Sequence, residues 1–491
     1  MAYIVVVYAP FIVFLTLLKE APTIVLARKS FFLSVVFVSL RDTTGWLVNL
    51  FTFFWYVQMN LIARLRGEGD FETAGQVVHY GTVATFIGGI VVAAIFAGVA
   101  RQLLSVISFS YAEPVLDLGL SALYAWAAGL PAVVLQAPVT GALLGMHQFV
   151  RLALLATLWS IVVAVLSLVM VTVQVPCDDK PAIVPETYLC PGSKRFLLDV
   201  SIVAAVIVWL TAAHLVAMQY KLAARQGMFP NGMPRLACVN ASGTAASTWA
   251  ALRSTWSRDT AGVAVRSVLN NTREFITLVV ALRIGLVAAA LYALFASVSA
   301  FSYSVPNMLS TSAMTEGSKQ LGRGDVRTVV WCLKFFHAFG ALCGVAFAGI
   351  IFFQREAVLR AYSGESVYAG FGELAAETWP LFVAFQPINA LVGVFGPLLM
   401  TTQNYTHWGG AVSVCFFAVF LPVTISAAYA RSTYRLLLAE VLYSAAHLLL
   451  LIHKVSWVEL RRLIRVADEP RADAAAPAAL GAVCEPHAMS A

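Results

Sequence analysis

The chain is 491 residues long, 60% apolar and only 12% charged, with a formal net charge of +7. No water-soluble domain is built from these proportions, and no basic stripe interleaved with aromatics suggests a nucleic-acid partner. The seven cysteines are scattered and include no Cys-x-x-Cys, which removes the commonest metal and redox motifs.

Runs of about 20 uncharged residues recur along the chain, enough at ~1.5 Å per residue to cross a hydrocarbon core of ~30 Å. A segment in lipid must satisfy its own backbone, which selects helices. The predicted class is therefore all-α, a polytopic membrane protein with about 12 transmembrane helices in two six-helix lobes. Residues 2–18 form an extra apolar segment without a cleavage-site pattern. Span 1 is placed at 19–40 although Arg28 and Lys29 lie inside it, because Lys19-Glu20, Thr23, Val25, Ala27 and Lys29 return as Arg273-Glu274, Thr277, Val279, Ala281 and Arg283. The other spans of the first half are expected at 43–63, 78–100, 118–146, 151–175 and 198–219. Those of the second half are expected at 273–293, 296–316, 328–353, 378–402, 408–430 and 433–453.

This divides the chain into a segment 1–18, a first lobe 19–219, a connector 220–272, a second lobe 273–453 and a tail 454–491. The connector carries Lys221, Arg225, Arg235, Arg253, Arg258 and Arg266 against Asp259, so the positive-inside rule puts it on the cytoplasmic side, or the stromal side of an organelle. Loops 176–196 and 354–377 then lie outside. Cys177 and Cys190 bracket the first of them and could pair if that compartment is oxidising. The tail turns into Ala, Pro and Asp and is expected to be largely disordered.

The two halves share more than hydropathy. Gly67-x-Gly69-Asp70 returns as Gly322-x-Gly324-Asp325, and Thr73, Gly89, Ala93, Ile95, Leu104 and Ser108 recur at the same ungapped offset of 255. Such a repeat inside a polytopic chain marks a transporter built from two halves with the substrate path between them. In each polar knot the glycines permit a reversal and the Asp can cap the next helix. No Gly-Lys-Ser/Thr follows, so the knots are not phosphate loops. Pro131, Pro138, Pro380, Pro387 and Pro397 fall inside spans of the two halves and are candidate hinges.

Each half thus has a span ending in a Gly-x-Gly-Asp turn, a long apolar span, and a proline-containing span that closes on small residues, Leu130-Pro131 to Gly145 and Phe385-Gln386-Pro387 to Met400. This arrangement resembles the multidrug and toxic compound extrusion (MATE) transporters, in the superfamily that includes lipid-linked oligosaccharide flippases. The spacing from Gln58-Met59-Asn60 to Asp70 looks most like plastid-type and DinF-like members. The resemblance covers roughly residues 43–430. It implies two six-helix lobes forming a V, with proton or sodium antiport driving export of an organic solute. Many members carry a coupling acid in span 1. Here span 1 offers only Glu20 at its edge and Asp42 beyond it, so the coupling ion does not carry over.

Ionisable groups inside spans are few, and each is a functional hypothesis by default. Glu274, Glu440 and His447 are candidates for the coupling ion, the last two lying seven apart on one face of the final span. Asn60, Gln136, Asn307, Gln386 and Asn389, with Arg283, are candidate substrate ligands, set against a role as interhelical hydrogen-bond glue. Lys29 and Arg283 at matched places would favour anionic or zwitterionic solutes over lipophilic cations. No catalytic set emerges, no metal site is expected, and no cofactor beyond the coupling proton or sodium is implied. The predicted function is a secondary active antiporter exporting an organic solute or metabolite, a monomer in a plasma or organelle membrane whose partners are the solute and the bilayer. A flippase of the same superfamily would call for a more basic cleft, and a membrane-embedded enzyme for a His/Asp/Glu cluster at one depth.

Overall fold

The computed structural model of the chain describes residues 25, 37, 40, 45, 50–108, 112–174, 192–230, 232, 244–363, 371–402 and 404–468, and these contain helices and turns with no strand. The helices are α1 (Thr52–Glu68), α2 (Phe71–Ser108), α3 (Ala112–Gly145), α4 (Phe149–Gln174), α5 (Ser193–Arg225), α6 (Thr244–Ile284) and α7 (Leu286–Gly322). They continue as α8 (Val326–Phe353), α9 (Arg355–Ser363) and α10 (Phe371–Thr401). Then come α11 (Tyr405–Ala430, with a π-helical turn at Phe416–Phe420), α12 (Thr433–Ile452) and, after a second π-helical turn, α13 (Leu460–Asp468). Residues 2–18, most of span 1 with Lys29, the Cys177 and Cys190 loop and the tail beyond 468 lie outside the described residues.

Among the described residues nine helical segments are long and apolar enough to cross a membrane. Two more helices pack in the same bundle: α1, of 17 residues, and α6, which carries Arg266, Arg273, Glu274 and Arg283. The second of these departs from the sequence expectation at both ends. It begins at Thr244 rather than near 273, and the break before α7 falls at Gly285, not between 293 and 296. Gly285 has φ 154° and ψ 169°, backbone space that only glycine enters freely, and the apolar residues around it conceal the break from hydropathy.

In each half the proline-rich helix is the hub. α3 packs on α1, α2 and α5, and α10 packs on α7, α8 and α12, so each hub meets the two long helices before it and the last span of its half. α3 and α10 are the two most buried of the nine spans, while α2, α4 and α8 turn Ile95, Leu158 and Leu342 outward. Lipid tails are as apolar as leucine, so helix contacts in such a bundle depend on close fit instead of hydrophobic contrast. The repeat supplies that fit. A proline inside a helix lacks an N–H and crowds the preceding turn, and in both halves a glycine on the neighbouring helix faces it. A Cβ on Gly89 would lie 2.9 Å from Cα of Pro131, and one on Gly344 would lie 2.6 Å from Cα of Pro387.

The polar knots fold alike as well. Gly69 (φ 85°) and Gly324 (φ 76°) are left-handed and turn the chain. The N–H of Asp70 closes on the Leu65 carbonyl and that of Asp325 on the Gln320 carbonyl, each at 2.9 Å. Asp70 then accepts from the N–H of Thr73 at 3.0 Å and Asp325 from that of Thr328 at 3.2 Å, which accounts for the recurring threonine. The first glycine of each knot is helical and has another task. Gly67 and Gly322 face one another where α1 crosses α7: a Cβ on either would lie 3.2 Å from the other's Cα, and one on Gly322 only 2.6 Å from the Arg64 carbonyl oxygen.

A methyl group added at this crossing must push backbone apart, an overpacking worth ~1–3 kcal/mol. Gly322→Ala is therefore expected to lower the unfolding temperature of the purified protein. Gly88→Ala on α2, where a Cβ meets nothing within 4 Å, is expected to leave it unchanged or slightly raised. Equal melting of Gly322→Ala and the parent would show that the crossing is loose.

Candidate functional site

The uncharged polar candidates are spread through the bundle rather than gathered in one pocket. Asn60, buried on α1, donates to the Met400 carbonyl at 2.7 Å and to the Tyr405 hydroxyl, and its Oδ1 accepts from Ser318, so it bolts α1 to the second half. Gln136 donates to the Val208 carbonyl on α5 at 2.9 Å. Asn389 donates to the Ser299 carbonyl at 2.9 Å and to Ser302 at 3.2 Å, both on α7. Gln386 donates within its own helix to Phe382 at 2.7 Å. The Asn307 carbonyl accepts from Ser310 and Thr311, while its side-chain oxygen is buried without a hydrogen-bond donor. Arg283 is exposed, one residue before the end of α6.

Charge converges elsewhere. Arg266, Asn270, Arg273 and Thr277 recur on α6 at the four-three-four spacing of one helix face, and Glu440, Tyr443, Ser444 and His447, three, one and three apart, share one face of α12. The two stripes meet. Nε of Arg273 stands 3.2 Å from Oε2 of Glu440, and the Thr277 hydroxyl donates to the other carboxylate oxygen at 2.6 Å. The Arg273 guanidinium lies 4.5 Å from the Tyr443 ring centroid, and the Tyr443 hydroxyl donates to Asn270 at 3.4 Å. Glu274 touches Arg273 at 3.3 Å from the rim, half-exposed, whereas Glu440 and His447 are buried. Glu440 and His447 do not bond directly: the carboxylate is taken by Thr277 and Arg273, and the His447 ring lies 6.0 Å from that of Tyr443. Arg266 sits farther along the same stripe, 4.5 Å from the Trp408 ring of α11 and 5.6 Å from the Tyr56 ring of α1. Trp408 is wedged against α10, where a Cβ on Gly396 would come within 2.5 Å of it. No group of His, Cys, Asp and Glu among the described residues could hold a metal ion.

A second polar cluster closes the knot end. Arg66 donates to the Gly145 carbonyl at 2.9 Å, and Glu316 on α7 faces Nδ1 of His147 at 3.7 Å and Lys319 at 4.0 Å. His147, left-handed at φ 60°, ends α3. Desolvation, followed by the charge of Lys319, pushes its pKa down to about 4; Glu316 pulls it the other way, and Arg66 and Arg323 add to the fall.

No protein-family model matches the chain, and no curated protein matches it in sequence. Solved structures match it throughout. The eukaryotic MATE transporter AtDTX14 superposes with a TM-score of 0.70, covering 94% of this chain and 97% of that one at 13% identity. The fold is that of the MATE transporters. The Vibrio cholerae MATE transporter VcmN aligns with a TM-score of 0.64 over 93% of this chain and 98% of its own, at 13% identity. A MOP superfamily transporter from Pyrococcus furiosus, described as having a binding pocket of reversed polarity, gives 0.66 over 93% and 97% at 12% identity. The chain is thus a multi-pass membrane protein of MATE fold, a likeness of architecture at these identities.

Within that fold, sequence reasoning found Glu440 and His447 at the buried cluster and Glu274 at its rim, but not Arg266 or Arg273. Arg266 counted as a loop charge because hydropathy falls before residue 273. The polar stripe from Arg266 to Thr277 was the available signal, since a loop has no reason to keep helical spacing.

His147 gives the MATE-fold chain a pH dependence of definite sign. The unfolded chain binds this proton from about pH 6.5 downward and the folded chain only from about 4. Its contribution to stability is therefore full above about 6.5 and lost as pH falls through that window. The parent is expected to lose more thermal stability between about pH 7 and 5 than His147→Asn, in which asparagine retains the left-handed turn. Parallel loss in both proteins would contradict the assignment.

Proposed function

We propose that this chain is a secondary active antiporter, exporting an organic solute or metabolite in exchange for protons or sodium by alternating access between two halves. The observation that carries the reading is the buried Arg273–Glu440 pair inside a MATE-fold bundle. A carboxylate at that depth is stable only while its charge is matched. A proton or sodium ion reaching Glu440 competes with Arg273 and Thr277 for it and loosens α6 from α12. Ion occupancy then biases helix packing, which is what coupling requires. The halves are taken as 19–219 and 273–453, joined by the connector 220–272, and the matched contacts of α1 to α3 with those of α7, α8 and α10 support that division. The Gln58-Met59-Asn60 to Asp70 spacing favours a plastid-type or DinF-like member, in a plasma or organelle membrane. One chain holds both halves, so a monomer suffices, and no step of the cycle needs a catalytic residue.

Proteoliposomes with imposed proton or sodium gradients, challenged with a panel of aromatic carboxylates and aromatic cations, test the reading. The parent is expected to drive at least one solute against its gradient, and Glu440→Gln to lose that driven movement by tenfold or more. Removing one partner of a buried pair can cost ~3–5 kcal/mol, so the double variant Arg273→Gln with Glu440→Gln, which strands neither charge, is measured beside it. Undiminished driven transport in both variants would reject Glu440 as the coupling group.

A further inference from the structure

An arginine inside a membrane bundle normally meets a carboxylate, because an unpaired charge at that depth costs ~2.5–3.5 kcal/mol. Arg273 obeys this rule and Arg266 does not. The groups around Arg266 include the aromatic rings of Tyr56, Tyr303, Tyr443 and Trp408, with His447 also within its field, and among the described residues no carboxylate forms an ion pair with it. The acids of this region are committed elsewhere, Glu440 to Arg273 and Thr277, and Glu274 to Arg273 at the rim.

The guanidinium is matched only by weak partners. Trp408 at 4.5 Å and Tyr56 at 5.6 Å offer it their rings, and the hydroxyls of Tyr56 and Tyr303 accept its hydrogen bonds; a carboxylate held by two parallel bonds would match its charge as no tyrosine does. The walls are rings whose flat, polarisable surfaces suit another ring. The box also spans the two halves, since Tyr56 belongs to α1 and the other groups to α6, α7, α11 and α12. At ~1.5 Å per residue, Tyr56 lies about 16 Å along α1 from Gly67, so the box sits beyond the crossing of α1 and α7.

We propose that Arg266, boxed by Tyr56, Tyr303, Tyr443 and Trp408, anchors the transported solute and that this solute is an aromatic carboxylate. The proposal rests on the antiporter reading and supplies its substrate class. The ring of the solute stacks against the box, its carboxylate takes hydrogen bonds from Arg266 in place of the tyrosine hydroxyls, and displacement of the Tyr56–Trp408 ring contact makes occupancy sensitive to the relative position of α1 and α11.

The test uses the full chain in detergent with three probes of one shape and different charge: 2-naphthoate, 2-naphthamide and 2-naphthylmethylammonium. Binding is read by equilibrium titration and by the shift in unfolding temperature. Naphthoate is expected to bind the parent at least tenfold tighter than the amide or the ammonium, and Arg266→Gln to lose that preference. Arg266→Lys, which keeps the charge but not the fork, should retain only part of it. The proposal is overturned if the parent binds the amide or ammonium as tightly as naphthoate, if it binds none of the three, or if Arg266→Gln keeps the preference. Should Arg266→Gln fail to fold, the parent's ranking and the lysine variant decide. Loss of the naphthoate preference while proteoliposomes still drive other solutes removes the anion site and spares the antiporter. Binding as expected without driven movement of any solute does the reverse.

Discussion

The close approach of α1 and α7 at Gly67 and Gly322 is the constraint on which the rest of the bundle depends. Two helices can bring their backbones this near only where neither carries a side chain, and here the two glycines are the same residue of an internal repeat. Around the contact, Asn60 reaches Met400, Tyr405 and Ser318, and Arg66, His147, Glu316 and Lys319 form a polar collar. These bonds hold the halves together at the knot end by fit and polarity, the two forces that still act between helices when the surrounding medium is apolar. A contact of that kind can be released and remade without unfolding either half.

Behind the crossing lies an uneven distribution of charge. The end of the connector and the second half keep Arg266, Arg273 and Glu440 on facing stripes of α6 and α12, and described helices of the first half show no comparable buried pair. Each half therefore shares the close fit of a glycine against a proline, Gly89 with Pro131 and Gly344 with Pro387, while among the described residues the buried Arg–Glu pair lies in one.

Much of the frame was legible in the sequence. Glycine and aspartate at one offset, and prolines inside a span of each half, report backbone events, namely a left-handed turn, a cap and a missing N–H, that mean the same in any environment. Gly89 belonged to that signal, although its purpose, making room for Pro131, needs the neighbouring helix to be seen. The site was less legible for two reasons. Hydropathy reads Arg266 and Arg273 as loop or edge residues because it scores charges without their partners, and a buried pair with Glu440 or an aromatic box is a property of the packed bundle. The amides Asn60, Gln136 and Asn389 stand out in a hydrophobic sequence whether they bind a guest or a neighbouring carbonyl, and each has a neighbouring carbonyl. The break at Gly285 was hidden because the flanking residues are uniformly apolar.

The central proposal, that alternating access opens and closes the Gly67–Gly322 crossing, is tested most directly by the distance across it. Spin labels at Glu68→Cys and Arg323→Cys, on a background from which the seven native cysteines have been removed, report it by pulsed electron resonance in lipid nanodiscs. The account predicts a short-distance population from the closed crossing and a second, longer one, with the ratio moving as pH or sodium is changed and the Glu440→Gln variant no longer responding. A single short distance that persists under every condition would mean that the crossing is a permanent strut and that alternating access does not occur here.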